Sequence, residues 1–215
     1  MPEKSNPVDP RIEYIWRFWF ADALQSPEAL RRRVDFWFGA EGGETGAVDR
    51  QIEHEFDADM KRAAAGHLAD WSHTPRGRLA LILLMDQFPR NAFRGTARAF
   101  ATDPLALGLA LEAMREGTDA LVQPAERLFF YLPLEHAEDI EAQERGVAAC
   151  AALALDAPMP IRSYFEECAH YAAQHRDIIR RFGRFPHRNA ILGRESTAEE
   201  RDYLAREGVD FGQKA

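Results

Sequence analysis

The sequence predicts an all-α protein of about nine helices, arranged as a stack of antiparallel helical hairpins. Four Asp, Ser or Thr residues stand directly before a proline, which is typical of helix starts because the side-chain oxygen caps a free backbone N–H and proline needs no partner there. Behind each pair, apolar residues recur with helical spacing. No stretch of five or more residues alternates as a strand would. Short loops between the helices favour antiparallel neighbours.

Five helices are predicted in the first half of the chain. Four begin at the pairs Asp9-Pro10, Ser26-Pro27, Thr74-Pro75 and Asp103-Pro104. The other follows the loop EGGETGA and ends near Gly66. Their apolar stripes, in chain order, are Ile12, Ile15, Trp16 and Trp19; Leu30, Val34, Trp37 and Phe38; Ile52, Phe56 and Met60; Leu79, Ile82 and Leu83; and Leu105, Leu109 and Met114. Helical aromatic stripes normally pack in a core, so we expect these rings there and not around a cofactor.

Four more helices are predicted in the second half, at about 124–131, 137–155 and 161–182 and from Ser196 or Thr197 to Gly208. Gly183 ends the third of them, since glycine adopts the left-handed conformation that follows many helices. Glu199 and Glu200 stand three residues after the two possible caps of the last helix, where a glutamate completes a capping box.

Composition predicts one soluble, cytoplasmic domain over residues 1–215, with ragged ends at 1–9 and 209–215. The net charge of −8 argues against nucleic acid as a partner, because binding to phosphates needs a basic face. The longest apolar run, 79–85, is too short to span a membrane, and the polar start does not resemble a signal peptide. Cys150 and Cys168 lack metal-ligand spacing and are expected to be buried, reduced thiols.

One internal similarity stands out: QFPRNAFRG at 87–95 and RFPHRNAILGR at 184–194 share Phe-Pro followed by Arg-Asn-Ala. Proline disfavours helical geometry in the residue before it, so we expect the chain to leave its helix at Phe88 and again at Phe185. The arginine and asparagine of each copy then project from a stiff turn. If the two preceding helices are neighbours, the two turns face one site from both sides.

The same segments carry a family resemblance. The motifs DQFPRNAFRGTARAFATD, YLPLEHAEDIEAQ and HRDIIRRFGRFPHRNAILGRESTAEE, together with WRFWF and VDFWF, resemble the bacterial family known as domain of unknown function 924, over about residues 16–204. The resemblance implies an all-helical fold similar to tetratricopeptide-type superhelices. It implies no activity and no catalytic residue. The chain lacks the Trp, Leu-Gly and Tyr spacing of tetratricopeptide repeats.

A small-anion site is predicted at the two turns. Residues 170–194 hold six arginines against one acid, Asp177, in a chain that is acidic as a whole. Guanidinium groups match carboxylate or phosphate, and loop side chains are often used for binding. The predicted ligand-binding residues are Arg184, Arg188 and Asn189 on one turn and Arg90, Asn91 and Arg94 on the other. Asp86 and Asp103 are included because we expect them to orient Arg90, Asn91 and Arg94.

General acid–base chemistry is predicted for four residues: His187, His175, His136 and Glu138. His136 and Glu138 are expected at a helix start, where a carboxylate beside an imidazole can orient a base. His187 or His175 would move a proton beside Glu138. No cofactor and no metal are predicted, although a metal between His136, His175 and His187 is left open.

Three functions are therefore compared. The first is an enzyme that binds a small phosphate or carboxylate in an Arg/His-lined pocket. The second is a non-catalytic helical scaffold that binds acidic peptides or protein partners. The third is purely structural, with the arginines forming ion pairs with the acidic side chains Glu135, Glu138, Asp139, Glu141 and Glu144. Fold analogy does not decide between them.

Overall fold

The computed structural model describes residues 9–38, 45–206 and 211, and within them the chain forms nine helices and no β-strand. These are α1 (Pro10–Phe20), α2 (Pro27–Phe38), α3 (Thr45–Ala64), α4 (made of Pro75–Ile82, Leu83–Gln87 and Phe88–Ala92 without a break), α5 (Asp103–Glu116), α6 (Pro124–Glu135), α7 (Ile140–Asp156), α8 (Met159–Phe182) and α9 (Ala198–Arg206). The predicted all-α class is confirmed. Short 3₁₀ turns lie at Ala69–His73, Ala97–Phe100, Asp119–Leu121 and Pro186–Arg188.

From α3 to α8, each helix packs against the next one along the chain, most extensively α7 with α8 and α3 with α4. Only Ala157 and Pro158 separate α7 from α8, so these two form a helical hairpin. α4 contacts α1, α3, α5 and α6 and thereby connects the first half of the protein to the second. A similarity to the tetratricopeptide superhelix stays a prediction, as does the division into one domain.

The main core contains buried residues from α1 to α8, and its largest fully buried side chains are aromatic. The ring centroid of Trp19 lies 5.3 Å from that of Phe88 and 5.7 Å from that of Phe129. Trp37 stacks on Trp19. Most rings of the WRFWF and VDFWF motifs thus serve packing, as predicted. The expectation is wrong for Phe38 and for Leu105 of the α5 stripe, which are 52% and 48% exposed because they lie on the solvent side of their helices. A smaller cluster of Ile178, Ile179, Phe185 and Tyr203 joins α8 to the C-terminal segment.

Most predicted helix ends are confirmed. The side chains of Asp9, Ser26 and Thr74 accept hydrogen bonds from backbone N–H groups two or three residues later, at 2.9–3.1 Å. Gly183 ends α8 with a φ of 69°. Thr197 and Glu200 exchange side chain-to-backbone bonds as a capping box. The predicted end of the last helix at Gly208, the ragged ends apart from Asp9 and Phe211, and most of the EGGETGA loop lie outside the described residues.

The predicted cap at Asp103 is wrong. α5 begins at Asp103 itself, and the residue before it, Thr102, makes no side-chain cap. The Asp103 carboxylate is instead turned to two arginines, Arg90 and Arg188, which lie elsewhere in the chain. The carboxylate thus makes ion pairs with residues distant in sequence in place of a capping hydrogen bond to a nearby backbone N–H.

The predicted exit of the chain at Phe88-Pro89 is also wrong, whereas the one at Phe185 is confirmed. Phe185 has extended geometry, with φ −88° and ψ 108°. Phe88 is helical, and its N–H donates to the carbonyl of Leu83, five residues earlier, in a π-helical turn. Such a turn widens the helix and lets it continue past a proline.

Side chains satisfy the carbonyl groups of this π turn. Pro89 has no N–H to give to Met85, and the Thr102 hydroxyl donates to the Met85 carbonyl at 2.6 Å instead. Arg90 Nη1 donates to the Asp86 carbonyl at 2.8 Å. The irregular turn therefore depends on contacts that lie beyond the local sequence, and it carries the fully buried Asp86.

Glu200 fixes the short helix α9 to the end of α8. Its carboxylate accepts hydrogen bonds from Arg184 Nε at 2.7 Å and Nη2 at 2.9 Å and from the Thr197 N–H at 2.7 Å. We expect Glu200→Gln to lower the free energy of unfolding by about 1–3 kcal/mol, because the buried end of this ion pair loses its charge. Urea unfolding monitored by circular dichroism measures the change.

The matched control is Glu199→Gln. Glu199 is the neighbouring acid of α9, and its side chain is 62% exposed in a pair with Arg181. This substitution should change stability by less than about 0.5 kcal/mol. Equal effects of the two substitutions would show that Glu200 does not anchor α9.

Candidate functional site

Five ionisable side chains from four parts of the chain meet between the two Phe-Pro motifs, of which the first lies within α4 and the second forms a turn after α8. We call Asp86, Arg90, Asp103, His136 and Arg188 the charged cluster. α4 supplies the first two, the start of α5 the third, the residue after α6 the fourth and the 3₁₀ turn after α8 the last. Asp86 is fully buried, and the side chains of the other four are between 7% and 15% exposed. The cluster is thus largely shielded from solvent.

Asp103 joins the two turns. It accepts a two-pronged ion pair from Arg90, at 2.8 Å to Nη1 and 2.9 Å to Nη2. Arg188 Nη1 lies 3.4 Å from the second Asp103 oxygen. The structure therefore brings one arginine of each Phe-Pro motif to the same carboxylate, although Arg90 reaches it from a helix and only Arg188 from a turn.

Asp86 and His136 form a carboxylate–imidazole pair. Asp86 Oδ1 lies 2.7 Å from His136 Nδ1 and 3.1 Å from Arg90 Nη1, and Gln87 donates to Oδ2 at 2.6 Å. Because a carboxylate only accepts, Nδ1 carries the imidazole proton and Nε2 keeps its lone pair. Asp86 thus fixes both the tautomer and the orientation of the ring.

Electrostatics keep Asp86 ionised and His136 neutral. Burial opposes charge on Asp86, but Arg90 and His136 outweigh it and hold the pKa of this carboxyl well below its usual range. For His136, burial and the charge of Arg90 prevail over Asp86, and the pKa is lowered. A neutral imidazole beside an ionised carboxylate is the resting form of a general base.

Within the described residues, one edge of the Arg188 guanidinium makes hydrogen bonds and the other edge makes none. Its Nη1 also donates to the His136 carbonyl at 3.1 Å. Its Cζ lies 4.6 Å from the ring centroid of Phe100 and 4.4 Å from that of Phe185. The buried Nε makes no hydrogen bond within the described part of the chain. Burial and Arg90 lower the pKa of Arg188 to about 10, so the group is charged at neutral pH.

His175 lies beside the cluster, with its ring centroid 6.3 Å from that of His136. Its Nδ1 contacts the Tyr171 carbonyl at 2.8 Å, so Nε2 again keeps the lone pair. Burial lowers the pKa of His175 to about 3. Phe211 stacks on the His175 ring at 3.8 Å between centroids.

Glu135 is not the arginine partner that the sequence suggested. It is buried, Cys150 Sγ donates to its Oε1 at 3.4 Å, and its Oε2 lies 3.8 Å from His175 Nδ1. Burial raises the pKa of Glu135 to about 8. This carboxyl therefore exists largely as the neutral acid at pH 7. Other acids of the same stretch do form the expected ion pairs, Glu138 with Arg194 and Glu144 with Arg180.

The helix start predicted at His136 and Glu138 needs correction. α6 ends at Glu135, His136 follows it, and Asp139 caps α7 by accepting from the Ala142 N–H at 2.7 Å. Glu138 lies in the connection between the helices and pairs with Arg194 at 2.6 Å and with the Phe185 N–H at 2.8 Å. It is thus committed to other partners than an imidazole.

The remaining predicted residues are distributed around the cluster. Arg184 pairs with Glu200, and Asn189 Nδ2 donates to Ser196 and Glu200. His187 has its ring beside those of Phe185 and Phe211, 5.6 and 5.5 Å away between centroids. These contacts hold the second turn on α9 and on the C-terminal segment.

On the first turn, the expectation that Asp86 and Asp103 orient Arg94 is wrong. Arg94 and Asn91 both donate to Asp49 of α3, at 2.9–3.2 Å. Asp86 and Asp103 both contact Arg90 instead. The reason is that Asp49 of α3 lies within hydrogen-bond distance of both side chains, so α3 supplies the carboxylate that they contact.

The sequence did not predict four neighbours of the site: Asp49, Phe100, Cys150 and Phe211. It also suggested an ion pair with arginine for Glu135, which the structure does not show. Phe100 lies within the motif DQFPRNAFRGTARAFATD, so the sequence did place it close to the predicted ligand-binding residues. The other contacts depend on tertiary packing. Among the described residues, no group of three or more His, Cys, Asp or Glu is placed to hold a metal ion, and no helix is long and apolar enough to cross a bilayer.

A cavity of about 270 Å³ lies away from these residues. Its lining includes Ser26 and Pro27 at the start of α2, Gln123 and Pro124 at the start of α6, and Pro158 before α8. The charged cluster lies at the opposite end of α6. None of the predicted site residues lines this cavity.

Comparisons with known proteins give matches that cover nearly the whole chain. Residues 15–208 match the family described as "Bacterial protein of unknown function (DUF924)". A solved structure of a protein of unknown function from Agrobacterium tumefaciens is 43% identical, with a TM-score of 0.73. The match covers 93% of this chain and 98% of that one. No curated protein matches the chain.

Proposed function

The chain belongs to the DUF924 family of bacterial proteins of unknown function, and we propose that it is an enzyme that acts on a small anionic molecule by general acid–base chemistry at the charged cluster. The observation that carries this proposal is the Asp86–His136 pair, 2.7 Å apart and largely buried, beside Arg90 of α4 and Arg188 of the turn after α8. Surface charge networks do not require such burial, whereas acid–base sites commonly have it.

His136 is the base in this proposal. Its Nε2 accepts a proton from an O–H, N–H or acidic C–H group of the bound molecule and later returns a proton to the product. Asp86 holds the ring and stabilises the imidazolium that forms for the time between the two steps. His175, with its own Nε2 lone pair and its ring 6.3 Å away, accepts a hydrogen bond from the same molecule.

Arg188 contacts the anion, and Arg90 keeps the negative charges of Asp86 and Asp103 in place. The two predicted ligands Arg184 and Arg94 are already held by Glu200 and Asp49. Among the predicted arginines, Arg188 is therefore the proposed contact to the anion, and Arg90 is a positioning residue.

The test has a binding arm and a chemical arm. Thermal unfolding is measured for the wild type with inorganic phosphate and a panel of small carboxylates, each against sodium chloride of equal ionic strength. A compound that binds the native state raises Tm. Conversion of any stabilising compound, or exchange of its C–H groups in D₂O, is then followed by proton NMR.

We expect Arg188→Lys to remove the rise in Tm, because it keeps the positive charge and loses the planar fork. His136→Gln should keep binding and lower turnover by at least about 100-fold. Arg180→Gln is the control, since this exposed arginine pairs with Glu144 away from the cluster. A wild type that no compound stabilises, or a His136→Gln protein with full turnover, contradicts the proposal.

The scaffold alternative stays a prediction with less support. The arginines on the exposed face of α8 that an acidic peptide would contact pair with acids of the same chain, as Arg176 does with Asp177 and Arg180 with Glu144. A cytoplasmic location, a tetratricopeptide-like superhelix and the absence of nucleic-acid and membrane partners remain part of the proposal. The free thiols of Cys150 and Cys168 fit a reducing compartment.

A further inference from the structure

We infer that the molecule bound at the charged cluster is a carboxylate, not a phosphate, and that an O–H or N–H group stands next to its carboxylate carbon. This inference rests on the proposed function and narrows its substrate class. It follows from four observations at the cluster and beside it: an Arg188 donor that has no partner among the described residues, the aromatic rings next to that arginine, the balance of fixed charges and the acceptor atoms of the two histidines.

The first observation is the donor without a partner. Arg188 is 6% exposed, yet its buried Nε has no hydrogen-bond partner within the described residues, and only Nη1 among its donors has one. An unmet buried donor costs free energy, so such groups usually have a partner in the functional state. The Nε–Nη2 edge of a guanidinium matches the two oxygens of a carboxylate.

The aromatic neighbours of Arg188 favour a planar partner. Phe100 and Phe185 lie within 4.6 Å of its Cζ and occupy space beside the guanidinium. A carboxylate bound to the edge of the guanidinium lies in the plane of that group. A phosphate is tetrahedral and places oxygens out of this plane, where the rings compete for the same volume.

The charge balance gives the same preference. Asp86 and Asp103 carry two negative charges, and Arg90 and Arg188 carry two positive ones. The net charge of these four side chains is therefore zero. A carboxylate changes it by one negative charge, whereas a phosphate monoester changes it by nearly two at neutral pH. Because uncompensated charge is costly at a buried site, the singly charged ligand is favoured.

The histidines require a donor on the ligand. Nδ1 of His136 and Nδ1 of His175 are both committed to protein acceptors, and neither Nε2 makes a hydrogen bond within the described part of the chain. Two neutral Nε2 atoms present lone pairs, which repel anionic oxygens and accept from O–H or N–H groups. A hydroxyl or amino group beside the carboxylate satisfies them.

Matched probes test the inference on the full-length protein. Lactate and propionate have the same carbon chain and differ by one hydroxyl, and inorganic phosphate represents the tetrahedral class. Thermal unfolding is measured with each at equal ionic strength in the wild type, Arg188→Lys and Arg180→Gln. We expect lactate to raise Tm at least twice as much as propionate or phosphate, in the wild type and in Arg180→Gln alone.

Each of the other possible results contradicts one stated part of the inference. Equal shifts with lactate and propionate overturn the neighbouring donor. A larger shift with phosphate, lost in Arg188→Lys, overturns the carboxylate class and leaves the proposed function standing. No shift with any of the three probes, or shifts that Arg188→Lys does not change, overturns this inference, and the wider compound panel then decides the proposed function separately.

Discussion

Asp86→Asn is expected to lower the free energy of unfolding by about 3–5 kcal/mol, the range for breaking a buried ion pair by removing one partner. Asp86 is fully buried and carries the negative charge that faces Arg90 and His136. The amide has nearly the same shape as the carboxylate. The loss therefore reports on charge: Arg90 loses one of its two carboxylate partners, and His136 is left with a neutral amide oxygen in place of a charged acceptor.

Urea unfolding followed by circular dichroism measures this change. Asp177→Asn is the matched control, because Asp177 also pairs with two arginines but its side chain is 60% exposed. The control should change stability by less than about 0.5 kcal/mol. If Asp86→Asn costs as little as the control, Asp86 is not the electrostatic centre of the cluster.

Glu135→Gln is expected to become more stable relative to the wild type as the pH rises from 5 to 8. Burial raises the pKa of Glu135 to about 8 in the native state, whereas the unfolded chain has the ordinary value of 4.5. Between these values the native protein binds more protons than the unfolded chain. The wild type therefore loses stability with rising pH, by up to about 1.4 kcal/mol per pH unit from this group. Below pH 4.5 and above pH 8 the contribution is constant.

The difference between variant and wild type isolates this group from others that titrate. His175 works in the opposite sense: burial lowers its pKa to about 3, so its contribution falls as the pH drops below 6.5. Urea unfolding of both proteins at pH 5.0, 6.5 and 8.0 gives the required comparison. Glu141→Gln, on the exposed start of α7, should show a difference from wild type that stays constant within about 0.5 kcal/mol. A constant difference for Glu135→Gln too would show that Glu135 is ionised at pH 5.

Features that depend on neighbouring residues could be predicted from the sequence. Asp9, Ser26 and Thr74 cap helices because the backbone N–H groups that they accept from lie within three residues of them. Gly183 ends α8 because a positive φ is cheap for glycine. The helices, their order and most of the buried aromatic residues follow from patterns among residues that are close together in the sequence.

Features that depend on distant partners could not. Asp103 has the sequence of a cap, but two arginines offer it charged donors. Phe88-Pro89 has the sequence of a helix end, but Thr102 supplies a donor to a carbonyl that the proline leaves unserved. At the site, a shared location for Arg90, Arg188 and Asp103 could be predicted, whereas the neutral state of Glu135 depends on burial that no local pattern shows.

The shared use of Asp103 has a consequence for how the protein matures. Its pair with Arg90 spans 13 residues and can form soon after that segment leaves the ribosome, whereas its contact with Arg188 spans 85 residues and must wait for α8 to dock. Until then Asp86 and Asp103 face a single arginine, and the nascent site holds an excess negative charge that repels anions. If the cluster binds an anion as proposed, a polypeptide still under synthesis gains that affinity only when α8 docks.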